Sequence, residues 1–478
     1  MNDLRGSLEE LAERGSPRPV DEVAAEVERG LAAGGGRRVP WMVIAAAAAV
    51  VAAVVGIGMA RLGDEDAGTF VDTGTTTTQP GLSTSTTMPG ETTTTSTEAG
   101  TGSSSTTAST APPREPGAWQ QVDPATLPRY EDAVLQAVAS DGKTLVAVGA
   151  ALGSAKDAVV LYSTDGVRWE QAAGPFGGPG FQYAYGVAAG PSGFVVVGSD
   201  GPDIGQEDAA VWRSADGRTW TRVPDPGGAF GGSGGQIMQA VAFKGHTVVA
   251  VGIDVPQLSP FDGAVWTSAD AGVTWKRVRG QADLARPSHE YIKSVAATGS
   301  GFMAVGWDHH EVSAPPVAAA WASPDGTQWR RVTVEGASPH SSMNSVTAGP
   351  SGLVAVGRTE WAAGVWRSAD GQRWNLVPDD PKVFGQRGGS MAMHAVASTP
   401  TGFVAVGIAS DAAESAWWRS TDGRTWSRQG RLPPDPWGTP HGVTAHGGTH
   451  VAVGYANRPA EPNGDPSSGS DPAIWYRH

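Results

Sequence analysis

The stretch Ser214-Ala-Asp-Gly-Arg-Thr-Trp220 places a hydroxyl, a carboxylate, a glycine and a tryptophan close together in the chain. Ser and Asp side chains accept hydrogen bonds from the backbone of a tight turn, and glycine adopts positive φ without steric cost. The pattern therefore predicts a tight turn between two β-strands. Further copies are Ser163–Trp169, Ser268–Trp275, Ser323–Trp329, Ser368–Trp374 and Ser420–Trp426.

A period of about 50 residues governs the chain from residue 118 onward, as in repeat folds built from short strands. Around the first quoted turn, a strand centred on Val187 precedes a strand Val195–Gly198, and a strand containing Trp212 follows. Each repeat therefore predicts four short strands, here named A to D from the inside outward. The tryptophans that mark the period are Trp119, Trp169, Trp220, Trp275, Trp329, Trp374 and Trp426.

The repeated turn resembles the Asp-box, or BNR repeat, of bacterial sialidases and related β-propellers, S-x-D-(x)-G-x-x-W. The resemblance covers residues 118–478 and implies an all-β β-propeller with Asp-box turns, and the seven tryptophans in phase predict that it is seven-bladed. In that family the box is structural, so the resemblance implies no catalytic role for its carboxylates. These are Asp165, Asp216, Asp270, Asp325, Asp370 and Asp422.

The two ends of the repeat region predict how the ring closes. The chain stops at Ala473–His478, which has the pattern of a strand C, whereas Trp119–Val122 has the pattern of a strand D. We therefore expect the N-terminal strand to complete the last blade as its outer strand, which leaves no free sheet edge there.

Three segments precede the repeats. Residues 1–38 are polar and predict a cytosolic tail with short amphipathic helices, and residues 39–60 form an uncharged apolar run long enough to cross a bilayer. Arg37 and Arg38 place the N-terminus in the cytosol by the positive-inside rule. A cleaved signal peptide is the alternative for this run. Residues 61–117, rich in Thr and Ser, predict a disordered linker that holds the propeller away from the membrane.

Composition excludes several classes of protein. The chain of 478 residues has 66 Gly, 35 Pro and 18 Trp, which argues against a helical bundle or coiled coil. It has no Cys, so disulfide scaffolds, thiolate zinc sites and cysteine nucleophiles are excluded. A formal net charge of −14 argues against nucleic acid as a partner.

One polar position recurs two residues before the central Val of each strand A. Because strand A is innermost, these side chains should line the mouth of the central channel. They predict a binding site for a small polar molecule, such as a sugar or a peptide end, or alternatively a wet channel without ligand. The residues are Gln136, Tyr185, Gln239, Lys293, Asn344, His394 and His441.

Loop lengths distinguish the two faces of the predicted ring. The A–B loops and the Asp-box turns are short, whereas the B–C loops and the D–A loops are long and varied. Variable loops on a rigid scaffold commonly carry function. The long loops also carry scattered aromatic residues, which indicate either loop packing or a ligand surface. These are Phe176, Phe181, Tyr183, Phe230, Tyr291, Trp307, Trp361, Phe384 and Trp437.

Three functions remain open from the sequence. The first is a membrane-anchored extracytoplasmic binding or scaffold protein for an envelope glycan, peptide or protein. The second is a sialidase-type exo-glycoside hydrolase, although the Arg-Ile-Pro signature of sialidases is absent and Ala285-Arg286-Pro287 is the nearest fragment. The third is a transmembrane sensor that signals through residues 1–38. We assign no catalytic residue, no cofactor and no metal ligand, because the loop Trp307–Glu311 lacks a third fixed ligand for its histidines.

Overall fold

The computed structural model describes residues 117–154, 156–202, 205–256, 261–284, 289–309, 314–385, 391–409, 414–433, 438–457 and 469–478. The predicted tail (1–38), the predicted transmembrane helix (39–60) and the linker up to residue 116 lie outside these residues. Within the ranges given, no helix has both the length and the apolar character needed to cross a membrane.

The described residues fold almost entirely as β-strands, connected in antiparallel meanders. The A and B strands are rich in Val and Ala and are buried on both faces, as in β3, where every residue is buried. The A strands are β2 (Ala133–Ser140), β6 (Phe181–Gly190), β10 (Gly234–Lys244), β14 (Glu290–Thr298), β18 (Ser342–Gly349), β22 (Ala392–Thr399) and β26 (Gly438–His446). The B strands are β3 (Leu145–Ala151), β7 (Gly193–Gly201), β11 (Thr247–Pro256), β15 (Gly301–Asp308), β19 (Gly352–Arg358), β23 (Gly402–Ala409) and β27 (Thr449–Asn457).

The outer strands become progressively shorter and more exposed. The C strands are β4 (Ala158–Ser163), β8 (Asp208–Ser214), β12 (Asp262–Ser268), β16 (Val317–Ser323), β20 (Ala363–Ser368), β24 (Glu414–Ser420) and β28 (Ser470–Arg477). The D strands are β1 (Gln120–Gln121), β5 (Glu170–Gln171), β9 (Thr221–Arg222), β13 (Lys276–Val278), β17 (Arg330–Glu335), β21 (Arg373–Leu376) and β25 (Trp426–Gly430). Two single-turn helices lie in loops: a 3-10 helix (Pro124–Thr126) and α1 (Pro381–Phe384).

The strands form a closed ring of sheets with the architecture of a β-propeller. Five sheets have four strands each, in the order A-B-C-D, and a sixth has eight strands because two four-stranded halves join through parallel pairing of β17 and β21. Strand A of each unit packs against strand A of the next, and β2 packs against β26. The A strands therefore surround a common axis.

The N-terminal strand lies where the sequence predicts it. β1 pairs antiparallel with β28, and the Val122 amide donates to the Ile474 carbonyl at 2.8 Å. Trp119 is buried with its ring edge-on to Trp417, at a centroid distance of 6.1 Å. The last sheet thus takes its outer strand from the beginning of the described chain.

The core consists of layers between neighbouring sheets, and most layers contain a tryptophan of strand C, with Leu161 in its place in β4. Trp212, Trp266 and Trp418 are 0% exposed, and each indole donates to the carbonyl of a loop residue at 2.8 Å. Each indole buries a large apolar surface and keeps its N–H satisfied. The rigid layers fix the position of the strand ends that carry the candidate site.

Candidate functional site

The polar residues predicted to line the channel all lie at β-bulges. In β14, Ile292 pairs with Gly306 and Ser294 pairs with Val305, so Lys293 has no partner across the ladder. A bulge leaves its extra residue unpaired and redirects its side chain. The same irregularity occurs at the other ring residues, which are Gln136, Tyr185, Gln239, Asn344, His394 and His441.

The glycine that ends each B-strand motif belongs to the same bulge. A Cβ atom on Gly306 would lie 1.8 Å from the carbonyl oxygen of Tyr291, which is closer than any real contact. The carbonyl two residues before the bulged residue therefore fills the space where a side chain would stand. Gly149, Gly198, Gly252, Gly357, Gly407 and Gly454 face equivalent carbonyl oxygens at 1.7–2.0 Å.

The bulges lie near the start of strand A and the end of strand B. The long D–A and B–C loops begin and end at the same places, so the bulged residues lie at the long-loop ends of the A strands. The bulge itself was not predicted from the sequence. Two recurring sequence features indicate the bulge when they are considered together. One is the polar residue at a fixed position of strand A, and the other is the glycine at a fixed position of strand B.

Hydrogen bonds link one side of the ring from blade to blade. Lys293 Nζ donates to Asn344 Oδ1 at 3.1 Å, and Asn344 Nδ2 donates to the Met393 carbonyl at 3.0 Å. His394 Nδ1 lies 2.9 Å from the Pro440 carbonyl, which can only accept. Met393 and Pro440 immediately precede the next ring residue, so each side chain contacts the following bulge. Lys293, Asn344, His394 and His441 are here named the polar sector.

Both histidines of the polar sector are neutral at pH 7. Burial lowers the pKa of His394 to about 4, against the effect of the Pro440 carbonyl, and the charge of Lys293 lowers it further. Burial lowers the pKa of His441 to about 3, with His394 acting in the same direction and the Leu135 carbonyl opposing both. Their rings lie 5.6 Å apart. His441 Nδ1 has no hydrogen-bond partner in the part of the chain that the structure describes.

Lys293 is a partly buried cation without an acidic partner among the described residues. Burial lowers its pKa to about 8, and the nearby charge of Arg358 contributes in the same direction. Its Nζ lies 5.7 Å from the centroid of the Tyr291 ring. Among the described residues, no carboxylate forms an ion pair with Lys293 or with Arg358.

The long-loop ends of β6, β14 and β15 carry aromatic side chains. Tyr183 stacks on Phe181 at 6.1 Å and on Tyr185 at 5.7 Å, and Tyr291 stacks on Trp307 at 5.4 Å. The three tyrosines are buried, whereas Phe181 and Trp307 are partly exposed. These five residues are here named the aromatic sector. Tyr185 therefore differs from the other ring residues, because it lies within an apolar cluster and burial raises its pKa well above the usual value.

The remaining loop aromatics serve different purposes. Phe176, Phe230 and Phe384 are buried, and Phe176 packs on Trp212 and Trp220 at 6.2 Å. Their burial agrees with the interpretation that these aromatic residues pack the loops. Trp361 is 46% exposed in the loop that follows Arg358, and Trp437 lies outside the described residues.

The Asp-box carboxylates have the contacts of turn residues. Asp216 Oδ1 accepts from the Arg218 and Thr219 amides at 2.8 and 2.9 Å, and the Trp220 indole donates to the Gly217 carbonyl at 3.0 Å. The Thr219 amide is the main cause that lowers the pKa of Asp216. Because C–D turns and B–C loops lie at opposite ends of strand C, these carboxylates lie on the face away from the channel mouth.

A second repeated contact was missed from the sequence. In β9, Arg222 forms an ion pair with Asp200 at 2.8 Å and lies 4.6 Å from the ring of Trp212. Arg277 with Asp254 and Trp266, and Arg331 with Asp308 and Trp321, repeat this arrangement. The sequence contains a signal for this contact, because the Arg, the Asp and the Trp each recur at the period of the repeat. These contacts join strands B, C and D, which indicates a role in holding the sheets together.

Within the described residues, no group of His, Asp and Glu is arranged to hold a metal ion. Asp308 and His309 of the loop Trp307–Glu311 are described, while His310 and Glu311 are not. Asp308 is 1% exposed and forms an ion pair with Arg331.

No protein-family profile and no curated protein matches the sequence. Several solved β-propeller structures resemble the fold. YCF48 from Cyanidioschyzon merolae is 17% identical, with 75% of this chain and 99% of that chain covered and a TM-score of 0.46. The RRP9 WD40 repeats are 11% identical, with 76% and 99% covered and a TM-score of 0.47. The Trypanosoma rangeli sialidase in complex with sialic acid is 12% identical, with 69% and 58% covered and a TM-score of 0.42. A likeness of this degree concerns the fold alone.

Proposed function

We propose that the chain is a membrane-anchored extracytoplasmic binding protein, whose β-propeller offers its channel mouth to a ligand of the cell envelope. The observation that carries the proposal is the ring of bulges. In each A strand, one residue has no partner in the strand ladder and its side chain turns toward the axis. Most of these side chains are polar. Bulges are enriched beside functional sites, where they redirect side chains.

The proposal includes seven blades. Each four-stranded unit is one blade, the eight-stranded sheet counts as two, and β1 completes the last blade. The contacts between successive A strands, including those between β26 and β2, support this number. Closure by the N-terminal strand gives the propeller a rigid frame for its variable loops.

The proposal also includes the anchor and its orientation. The apolar run at residues 39–60 spans the membrane, and the basic residues before it stay in the cytosol. Residues 61–117 then extend the propeller away from the bilayer. A ligand of the envelope would meet the long-loop face, which carries the ring and the aromatic sector.

A sialidase-type activity finds less support. Tyr291 and Glu290 are neighbours on one strand, so their side chains point to opposite faces and do not form a nucleophile pair. Glu290 is 0% exposed and Tyr291 is 2% exposed. We expect no hydrolysis of a fluorogenic sialoside, and measurable turnover would revive this alternative. A sensor that signals through residues 1–38 is tested by a pull-down with that segment.

The experiment that tests binding is a glycan-array and envelope-protein screen with the full-length chain in a mild detergent. We expect a ligand that binds the wild type and loses affinity when Lys293, His394 and His441 are replaced by Ala. A ligand whose affinity is unchanged by this triple substitution would place the binding surface elsewhere.

A further inference from the structure

We infer that the channel mouth takes a small carboxylate with a planar ring, whose carboxylate contacts Lys293 and Arg358 while its ring packs on the aromatic sector. This inference rests on the proposed binding function and names its ligand class. The observation behind it is the juxtaposition of two unpaired cations with an exposed edge of stacked aromatic side chains.

The two cations lack anionic partners in the described part of an acidic protein. The chain carries a formal net charge of −14. Arg358 pairs with Ser342, two residues before the Asn344 that Lys293 contacts, and the charge of Arg358 lowers the pKa of Lys293. A buried ammonium is usually compensated by a carboxylate or loses its charge. By contrast, Arg222, Arg277 and Arg331 each have an Asp partner, as Arg277 has Asp254. A ligand carboxylate would compensate the pair at the channel mouth.

Hydrogen-bond donors remain available around Lys293. Its ammonium has three N–H groups and donates one to Asn344 Oδ1. Gln239, on the adjacent strand β10, has an Nε2 without a hydrogen-bond partner among the described residues. Asn344 is itself oriented by its bond to the Met393 carbonyl. Lys293 and Gln239 therefore retain N–H groups for a ligand, while the Asn344 Oδ1 acceptor is already used.

The aromatic sector lies next to Lys293. Lys293 Nζ lies 5.7 Å from the Tyr291 ring, and Tyr291 stacks on the partly exposed Trp307 at 5.4 Å. Phe261 packs edge-on to Trp307 at 5.8 Å and holds it in place. A molecule of one ring and one carboxylate spans this distance. Flat aromatic faces bind rings through stacking and burial of apolar surface.

The test uses the full-length chain in detergent, with phenylacetate as the probe and its neutral analogue phenylacetamide as the control, both followed by calorimetric titration at pH 7. We expect phenylacetate to bind about ten- to hundredfold more tightly than phenylacetamide, since a charge-assisted hydrogen bond distinguishes them. Lys293→Met should abolish this preference. Lys143→Met removes an exposed lysine from an A–B turn on the opposite face and should leave it unchanged. Arg358→Met, at an exposed position, provides a second test that does not depend on tolerance of the Lys293 change.

The outcomes separate this inference from the proposed function. Equal affinity for the two probes, or a preference that survives both Lys293→Met and Arg358→Met, would overturn the carboxylate assignment. No binding of phenylacetate at about 10 mM would overturn it as well. If a neutral ligand from the envelope screen still depended on the polar sector, the binding function would stand without this ligand class. If no ligand depended on the polar sector, the proposed binding function and the carboxylate assignment would both be wrong.

Discussion

The glycine opposite each bulge leaves no room for even one additional carbon atom. At Gly306 a methyl group would collide with the Tyr291 carbonyl, so Gly306→Ala must distort the bulge or the adjacent strand. We expect a loss of about 2–3 kcal/mol in the free energy of unfolding, or a failure to fold, as measured by urea denaturation. Gly299→Ala is the matched control, because no atom lies within 4 Å of its Cβ position. Equal stability of the two variants would contradict the bulge geometry.

The two channel histidines predict a pH dependence of stability. Their pKa values are about 4 and 3 in the folded state and near 6.5 when unfolded, so the unfolded chain binds more protons between these values. The free energy of unfolding should therefore fall as pH decreases from about 6.5 to 4, by up to about 1.4 kcal/mol per pH unit for each histidine. The Asp-box carboxylates contribute only at lower pH, because folding lowers their pKa from 3.8.

Urea denaturation at a series of pH values measures this effect. The double substitution His394→Gln and His441→Gln should reduce the slope between pH 6.5 and 4, since glutamine does not titrate. Part of the slope should remain, because burial also lowers the pKa values of His289, His309 and His450. His246→Gln, at an exposed turn, should retain the slope of the wild type. An unchanged slope in the double variant would show that other groups cause the pH dependence.

At the residue scale, the sequence predicted the ring residues but not the bulges at which they lie. Period-2 patterning places side chains on alternate faces, and a bulge breaks that alternation through pairing with another strand. Lys293 was therefore predicted to line the channel without any reason for its orientation. The neutral state of His394 and His441 also depends on neighbours that only the closed ring brings together.

At the scale of elements, the outer strand β1 should control the stability of the last sheet. Deletion of residues 118–123 removes Trp119 and Val122, which are 5% and 3% exposed. Full burial of such side chains contributes about 1.5–3 kcal/mol each, so a loss of about 3–6 kcal/mol is expected in chemical denaturation. Gln121→Ala keeps the strand and should cost far less. A deletion variant that stays monomeric and as stable as the wild type would refute the closure.

The A, B and C strands were predictable because the repeat marks each of them with Val, Gly or Trp. The D strands were harder, since they are as short as two residues and are defined by the Asp-box that precedes them. The parallel pairing of β17 with β21 was not predicted. It pairs Thr333 with Arg373, which belong to the D strands of neighbouring units. The sequence of one repeat does not indicate that its D strand will pair with the D strand of the next repeat.

At the scale of the whole molecule, the proposed topology predicts accessibility from outside the cell. Protease added to intact cells should release a soluble fragment of roughly 360–410 residues, because the linker has too few apolar residues to fold and lies outside the membrane in this topology. A cytosolic marker protein that remains uncut provides the control. Release of the fragment only after lysis would reverse the orientation.

The sequence predicted a repeat of strands arranged around an axis, because its period and turns are local signals. It did not predict that the channel mouth divides into an aromatic and a polar sector. Tyr185 and Lys293 occupy the same position in their repeats, yet stacking on Tyr183 places one in an apolar cluster while the other keeps a charge. That division depends on side chains from neighbouring blades.

The most direct measurement of the central claim compares ligand affinity in two variants that alter opposite faces. For a ligand obtained from the envelope screen, replacing Lys293, His394 and His441 by Ala should weaken binding at least about tenfold while the protein remains folded. Asp216→Ala removes turn contacts from the other face and should cost about 1 kcal/mol of stability, since the carboxylate is exposed, without changing affinity. Normal binding by the triple variant together with loss of binding by Asp216→Ala would contradict the assignment of the channel mouth as the binding site.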